Sequence, residues 1–189
     1  MGGRSSGGNR NRNSSTFKNT AFYKGVSEKV VSATNDSKQW LHEQLNGLAD
    51  SYFPDSLELR QTQDLRSSDI AEAYAKTQKI ILYREQDYTM PVAVHETVHI
   101  ITDNLFNPED KPWDKGGKVE FDRARREVYK EAGLTPSKSE DKRWLRPYAA
   151  KDSSEFWSVL VEEAAKGRTN KLIEAGMSVL RQKLARRKR

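Results

Sequence analysis

The chain contains no cysteine and only three histidines among its 189 residues. The absence of cysteine excludes a disulfide framework, a cysteine-ligated metal and a thiol nucleophile. The sequence also lacks an apolar run long enough to cross a bilayer, because its best stretch, residues 90–105, contains Glu96 and Asp103. The mean hydropathy is −0.90, and no hydrophobic signal segment stands at the N-terminus. We therefore expect a cytoplasmic protein with no membrane partner.

Positive charge is concentrated at the two ends of the chain, although the net charge of the whole is only +6. The first twenty residues are rich in Gly, Ser, Asn and Arg and contain no acid, so residues 1–20 are predicted to be a disordered basic tail. Residues 185–189 form a second basic tail, which leaves 21–184 as one domain. Such tails are most simply solvated, and the alternative is weak, sequence-independent contact with nucleic acid.

The spacing of apolar residues predicts a mixture of helices and short strands, and therefore an α+β fold. A helical pattern runs from Ser27 to Asp50, where Asn35-Asp36 either interrupts a helix or begins one. Pro91 stands where a helix can begin, because its fixed φ and missing N–H are tolerated in the first turn. Strands are predicted at 57–60, 70–74 and 79–83, and further helices at 120–132, from 152 and at 170–184.

One motif carries recognisable chemistry: His95-Glu96-Thr97-Val98-His99, which holds two of the three histidines. Residues four positions apart lie on one face of a helix, so both imidazoles can bind a single Zn²⁺. Glu96 is displaced around the helix and can reach a water at the metal without binding the metal itself. The alternative is an ordinary buried helix whose histidines are only hydrogen-bonded.

A catalytic zinc needs a third protein ligand and an open position for water. The remaining histidine, His42, falls in the N-terminal helical segment, where a place on an amphipathic face explains it better. The third ligand is then a carboxylate from a later helix, and Asp152 followed by Glu155 marks the start of one. Glu155 fits two interpretations equally well, the third ligand or the second half of a capping box.

The motif has a downstream counterpart in residues 148–157, which read YAAKDSSEFW. Together they resemble the anthrax lethal factor group of gluzincin metallopeptidases. That group shares an H-E-x-x-H helix and a later Tyr-x6-Glu-aromatic-aromatic element, and the same spacing separates Tyr148 from Glu155. The resemblance implies a zincin-like metallopeptidase domain, in which a small mixed sheet packs on the motif helix and a later Glu-bearing helix.

The resemblance also assigns roles to individual residues. It implies that His95, His99 and Glu155 bind Zn²⁺. Glu96 then acts as the general base, and Tyr148 assists at the reacting carbonyl.

The surroundings of the metal ligands agree with the group only in part. Asp103 stands four residues after the second histidine, where the group commonly has an acid, and is expected to support the ligands. Relatives often carry a second acid four residues after the ligand Glu, but Val159 stands there. A missing supporting carboxylate weakens metal affinity. Glu162 and Glu163 lie one helical turn further on, where they could substitute only in part, and they are expected to face solvent.

Substrate in metallopeptidases of this fold lies antiparallel to an edge strand just before the motif helix. The resemblance therefore implies that Ile80, Ile81 and Leu82 bind substrate, because an extended peptide can add to an exposed strand edge.

Two functions follow from these observations. The first is a zinc-dependent metallopeptidase that hydrolyses peptide bonds of a protein substrate. The second is a non-catalytic structural or interaction protein that keeps a zincin fold and contacts a polyanion through its basic ends. The intact ligand and catalytic set favours the enzyme, whereas Val159 and the tails favour the alternative. The Gly-Gly-Arg-Ser-Ser-Gly-Gly start is similar to ends of phage head-associated proteins, which indicates an origin in a mobile element.

Overall fold

The structure, a computed structural model, describes residues 22–60 and 70–187. The predicted disordered tail at 1–20 lies outside these ranges, as do the last two residues of the basic C-terminal tail. Within the described residues the chain has the predicted mixed α+β architecture, with six α-helices and one four-stranded sheet. None of these helices is long and apolar enough to cross a membrane.

The sheet is small and mixed. Its strands are β1 Phe22–Lys24, β2 Ser56–Leu59, β3 Ala71–Tyr74 and β4 Lys79–Leu82. They lie in the order β1-β2-β4-β3, in which β1, β2 and β4 are parallel and β3 runs antiparallel to β4. The second, third and fourth strands agree with the sequence prediction to within about a residue at each end. Strand β1 was not predicted, because three residues are too few to show an alternating pattern.

The strand order corrects the expectation that residues 79–83 present an exposed edge. Strand β4 lies inside the sheet, hydrogen-bonded to β2 on one side and to β3 on the other. Ile80, Ile81 and Leu82 are buried. Their backbone groups are already used in two ladders, so a peptide cannot add to them. Among the residues that the structure describes, the edge strand on that side is β3.

The helices make up most of the described chain. They are α1 Glu28–Gln44, α2 Met90–Phe106, α3 Val119–Glu131, α4 Lys138–Trp144, α5 Ser153–Ala165 and α6 Lys171–Arg187. Helix α1 passes through Asn35 and Asp36 without a break, so neither residue interrupts it. Helix α6 continues beyond the predicted domain boundary at 184. The short, strongly charged α4 was not predicted, because it has no apolar periodicity for a sequence pattern to detect.

Helix α2 joins two hydrophobic clusters and is therefore held on opposite sides. Val94, Val98 and Ile101 belong to a cluster built with α3, α5 and α6, whereas Ala93 and Ile100 belong to a second cluster with the sheet and α1. Full burial of a Val or Ile side chain stabilises the fold by about 1.5–3 kcal/mol. This double packing fixes the position and rotation of the helix that carries the H-E-x-x-H motif.

Candidate metal centre

Helix α2 brings the two motif histidines to one point. Pro91 stands in its first turn, as predicted. The Nε2 atoms of His95 and His99 are 3.1 Å apart, and the two rings meet edge to face, with centroids 4.8 Å apart. His95 is only 8% exposed. Both imidazoles thus direct their Nε2 atoms to the same place, which the spacing of four residues predicts.

Helix α5 supplies the third group. Its N-cap is Asp152, whose side chain accepts hydrogen bonds from the backbone N–H groups of Ser154 and Glu155. The Glu155 carboxylate lies beside the two imidazoles, and its Oε2 is 3.4 Å from the Nε2 of His95 and 3.4 Å from that of His99. The geometry therefore favours the interpretation of Glu155 as a ligand over a capping-box partner.

The three atoms have the separations that a tetrahedral ion requires. Bonds of about 2.1 Å from Zn²⁺ to nitrogen or oxygen place tetrahedral ligands about 3.4 Å apart, close to the 3.1–3.4 Å found here. The Oε2 atom of Glu155 is buried and accepts no hydrogen bond within the described residues. Two imidazole nitrogens and one carboxylate oxygen are a donor set that suits Zn²⁺. These three residues fit a metal ion.

The charges in the centre are strongly coupled. Burial opposes ionisation of Glu155, but the two histidines outweigh burial and hold its pKa well below the usual range. Burial also opposes protonation of His95, yet Glu155 and Glu162 outweigh it and raise the pKa of His95 to about 9. His95 is therefore protonated at neutral pH, at the place where a metal ion would bind. A metal ion would displace that proton.

Glu96 lies beside the metal centre without forming part of it. Its side chain is only 7% exposed and lines the cavity onto which the centre opens. Burial raises its pKa, while the two neighbouring imidazoles partly offset the rise. A carboxylate with a raised pKa is suited to take up a proton. Glu96 therefore lies on the cavity but outside the group of three residues that could hold a metal ion.

Glu162 corrects the expectation that this residue faces solvent. Its carboxylate is buried, with the residue 3% exposed, and its Oε2 lies 2.9 Å from the Nδ1 of His95. Because a carboxylate accepts hydrogen bonds, the Nδ1 of His95 must carry the proton, which leaves Nε2 free for a metal. Arg146 and Lys166 neutralise the same carboxylate. Glu162, about one helical turn after Val159, therefore provides the supporting carboxylate that Val159 lacks.

Glu163 also proves to be buried and not exposed. It is 1% exposed and pairs with Lys166 and Arg168, not with either histidine. The helix geometry could have revealed the difference between the two acids. Residue 162 lies seven positions after Glu155, which returns it to nearly the same helix face, whereas 163 is turned away.

The Nδ1 atom of His99 finds its partner in Ser154, at 3.0 Å from the hydroxyl oxygen. Asp103, the acid expected to support the ligands, lines the cavity. Burial raises the pKa of Asp103, and the nearby Asp110 adds to the rise. Ser154 was not singled out in the sequence, since serines in the first turn of a helix are common. The remaining histidine, His42, lies with its Nδ1 2.8 Å from Oδ2 of Asp50.

Tyr148 lines the cavity in front of the metal centre. It belongs to the short 3-10 turn Pro147–Ala150, is 43% exposed, and its ring centroid lies 6.3 Å from that of His95.

Lys151, which the sequence analysis did not single out, donates from Nζ to the Tyr148 hydroxyl at 3.4 Å and to Oε1 of Glu155 at 3.2 Å. Lysine four positions before a glutamate is a common helix pairing, so nothing in the sequence marked it.

The cavity in front of these groups has a volume of about 750 Å³. Strand β3 and the β3–β4 turn form one wall, and residues of α2, α5 and the Tyr148 turn form the other. Asp110, from the loop after α2, also lines it and forms an ion pair with Lys76 of the turn. Ile80, Ile81 and Leu82, which were predicted to bind substrate, do not line this cavity, and its strand wall is the neighbouring β3.

No family model matches the chain, and neither a curated protein nor a solved structure matches it. The arguments for function therefore depend on the residues and geometry described above.

Proposed function

We propose that this protein is a zinc-dependent metallopeptidase with a zincin-like fold. The observation that carries the proposal is the cluster of His95, His99 and Glu155, whose ligand atoms lie 3.1–3.4 Å apart at the base of a cavity. A metal-binding centre alone could be structural. The presence of Glu96 and Tyr148 on the same cavity supports a hydrolytic role, because each has a task in opening a peptide bond.

The chemistry divides among these residues. A bound Zn²⁺ supplies Lewis acidity, which activates water for attack on a carbonyl. Glu96 accepts the proton of that water and passes it to the departing amine, a role that its raised pKa suits. Tyr148 donates a hydrogen bond to the carbonyl oxygen as negative charge develops there. His95, His99 and Glu155 hold the ion throughout, and Glu162 keeps His95 in the correct tautomer.

The substrate would lie along β3. In the β3–β4 ladder, Ile70 accepts a hydrogen bond from the Tyr83 N–H, and alternate residues of an antiparallel pair face the partner strand. By this alternation, Ala71 and Ala73 direct their N–H and C=O groups away from β4, towards the open edge. An extended peptide can bind those groups as an added strand and pass in front of the metal centre.

The proposal is tested with Glu96→Gln, which keeps the size of the side chain and removes its basicity. Wild type and variant are purified with zinc, their metal content is measured, and both are offered a peptide library. We expect both to hold about one zinc per chain, and the variant to lose hydrolysis by about 10²–10⁴-fold. A zinc-loaded wild type that cuts nothing, or a variant that cuts equally well, would instead favour the non-catalytic alternative.

A further inference from the structure

Lys151 contacts both a residue of the metal centre, Glu155, and the hydroxyl group of Tyr148. Its Nζ contacts Oε1 of Glu155 at 3.2 Å and the Tyr148 hydroxyl oxygen at 3.4 Å, and it lies 5.1 Å from the centroid of the Tyr148 ring. The side chain also lines the cavity. Lys166, in contrast, pairs with Glu162 and Glu163 and does not line this cavity.

We propose that Lys151 is a positioning residue, which holds Glu155 and Tyr148 in the arrangements that metal binding and catalysis need. The inference rests on the proposed peptidase function. It gives the Lys151 ammonium group two roles, one at the carboxylate of Glu155 and one at the hydroxyl of Tyr148.

The first task concerns the way in which Glu155 binds a metal. Its two oxygens have different surroundings, since Oε1 accepts from Lys151 while Oε2 accepts no hydrogen bond and faces the histidines. A carboxylate whose Oε1 is held in this way offers only Oε2 to the metal. With one oxygen of Glu155, two imidazoles and a water, a bound ion would be four-coordinate, whereas binding through both oxygens beside the water would make it five-coordinate.

The second task concerns the proton of the Tyr148 hydroxyl. The Glu155 carboxylate attracts this proton, and an O–H that donates to Glu155 cannot also donate to a substrate. Lys151 lies between the two groups, neutralises the carboxylate and donates to the phenol oxygen. A phenol oxygen that accepts from an ammonium group is a stronger donor through its own O–H. Lys151 thereby leaves that O–H directed at the cavity.

The test is a double-mutant cycle of Lys151→Met and Tyr148→Phe, with Lys151→Arg as the conservative variant. We expect Tyr148→Phe to lower kcat about 100-fold, the usual cost of one oxyanion donor. Lys151→Met should lower kcat by about 10- to 100-fold with KM nearly unchanged, because it disables the same donor. The double variant should be slower than Tyr148→Phe by clearly less than the factor that Lys151→Met loses on its own, since both changes disable the same donor. Lys151→Arg should recover most of the rate.

A second readout, independent of activity, uses Co²⁺ in place of zinc. Visible absorption of Co²⁺ is strong at four-coordinate sites and weak at five-coordinate ones, so it reports how many ligand atoms are bound. We expect Lys151→Met to bind Co²⁺ with reduced absorption, because Glu155 then binds through both oxygens. The matched control is Lys183→Met, which removes a lysine paired with Glu127 away from the cavity, and its spectrum should equal that of wild type.

The outcomes separate this inference from the proposed function. A wild-type protein that binds no Co²⁺ or zinc overturns both. An active wild type in which the losses of kcat are additive overturns the role of Lys151 at Tyr148. An unchanged Co²⁺ spectrum in Lys151→Met overturns its role at Glu155, whether or not the wild type cleaves peptides.

Discussion

The two walls of the cavity are built in opposite ways. The helical wall, from α2 and α5, presents side chains that are nearly buried and whose charges are paired, as with His95, Glu155 and Glu162. The strand wall, β3, alternates more and less buried residues and forms the edge of the sheet within the described residues. The fixed charges of the helical wall suit it to binding an ion. The backbone groups at the edge of β3 suit the strand wall to binding an extended peptide. Changes to the metal-binding groups of the first wall and to their hydrogen-bond partners should therefore alter metal affinity, and changes in the second wall should alter KM alone.

The largest effect is expected from Glu155→Ala, which removes a ligand from the helical wall. Zinc sites bind their ion with about 10 kcal/mol or more, so one of three ligands accounts for about 3 kcal/mol, or about a 100-fold loss of affinity. Competition with a chromophoric chelator measures this loss. Glu174→Ala, which changes an exposed glutamate in the first turn of α6, is the control. Equal zinc affinity in the two variants would contradict the assignment of Glu155.

The next effect distinguishes two adjacent buried acids of α5. Glu162→Gln should weaken zinc binding by about 10- to 100-fold, because it removes the charge that orients His95. Glu163→Gln should leave zinc affinity within about twofold, although it also breaks buried ion pairs. The comparison uses the same chelator competition, and thermal unfolding of both variants shows that they remain folded. Equal losses of zinc affinity would mean that burial, and not contact with His95, determines the effect.

These two acids also show where the sequence was informative and where it was not. The H-E-x-x-H spacing of α2 and the Asp152 cap of α5 each depend only on residues close together in the chain, so the sequence predicted both. Whether Glu162 faces solvent depends on how α5 crosses α2, a packing relation between distant segments. The edge position of β3 likewise depends on strand order, which the run of Ile80, Ile81 and Leu82 does not encode. Apolar character marked β4 as a strand, and that same character buries it inside the sheet.

The proton at His95 predicts how zinc affinity depends on pH. Its pKa of about 9 in the metal-free chain means that zinc must displace a proton at pH 7.5. Zinc affinity should therefore rise about tenfold per pH unit up to about pH 9 and change less above it. Calorimetry at pH 7.5 in two buffers of different ionisation enthalpy should show release of about one proton per zinc bound. Affinity that is constant between pH 7 and 9 would show that His95 is already neutral without metal.

The smallest effect is expected from the strand wall. Ala73→Pro removes an N–H that faces the open edge of β3 and leaves the β3–β4 ladder intact, because proline is tolerated on edge strands. One lost backbone hydrogen bond to a peptide costs about 1 kcal/mol, so KM should rise about fivefold while zinc content and kcat stay near wild type. Ala73→Val, which keeps the N–H at similar bulk, separates the hydrogen bond from crowding. If both variants raise KM equally, the substrate meets this wall through side chains. A fall in zinc content with Ala73→Pro would show that the two walls are not independent, because the ligands themselves all lie on α2 and α5.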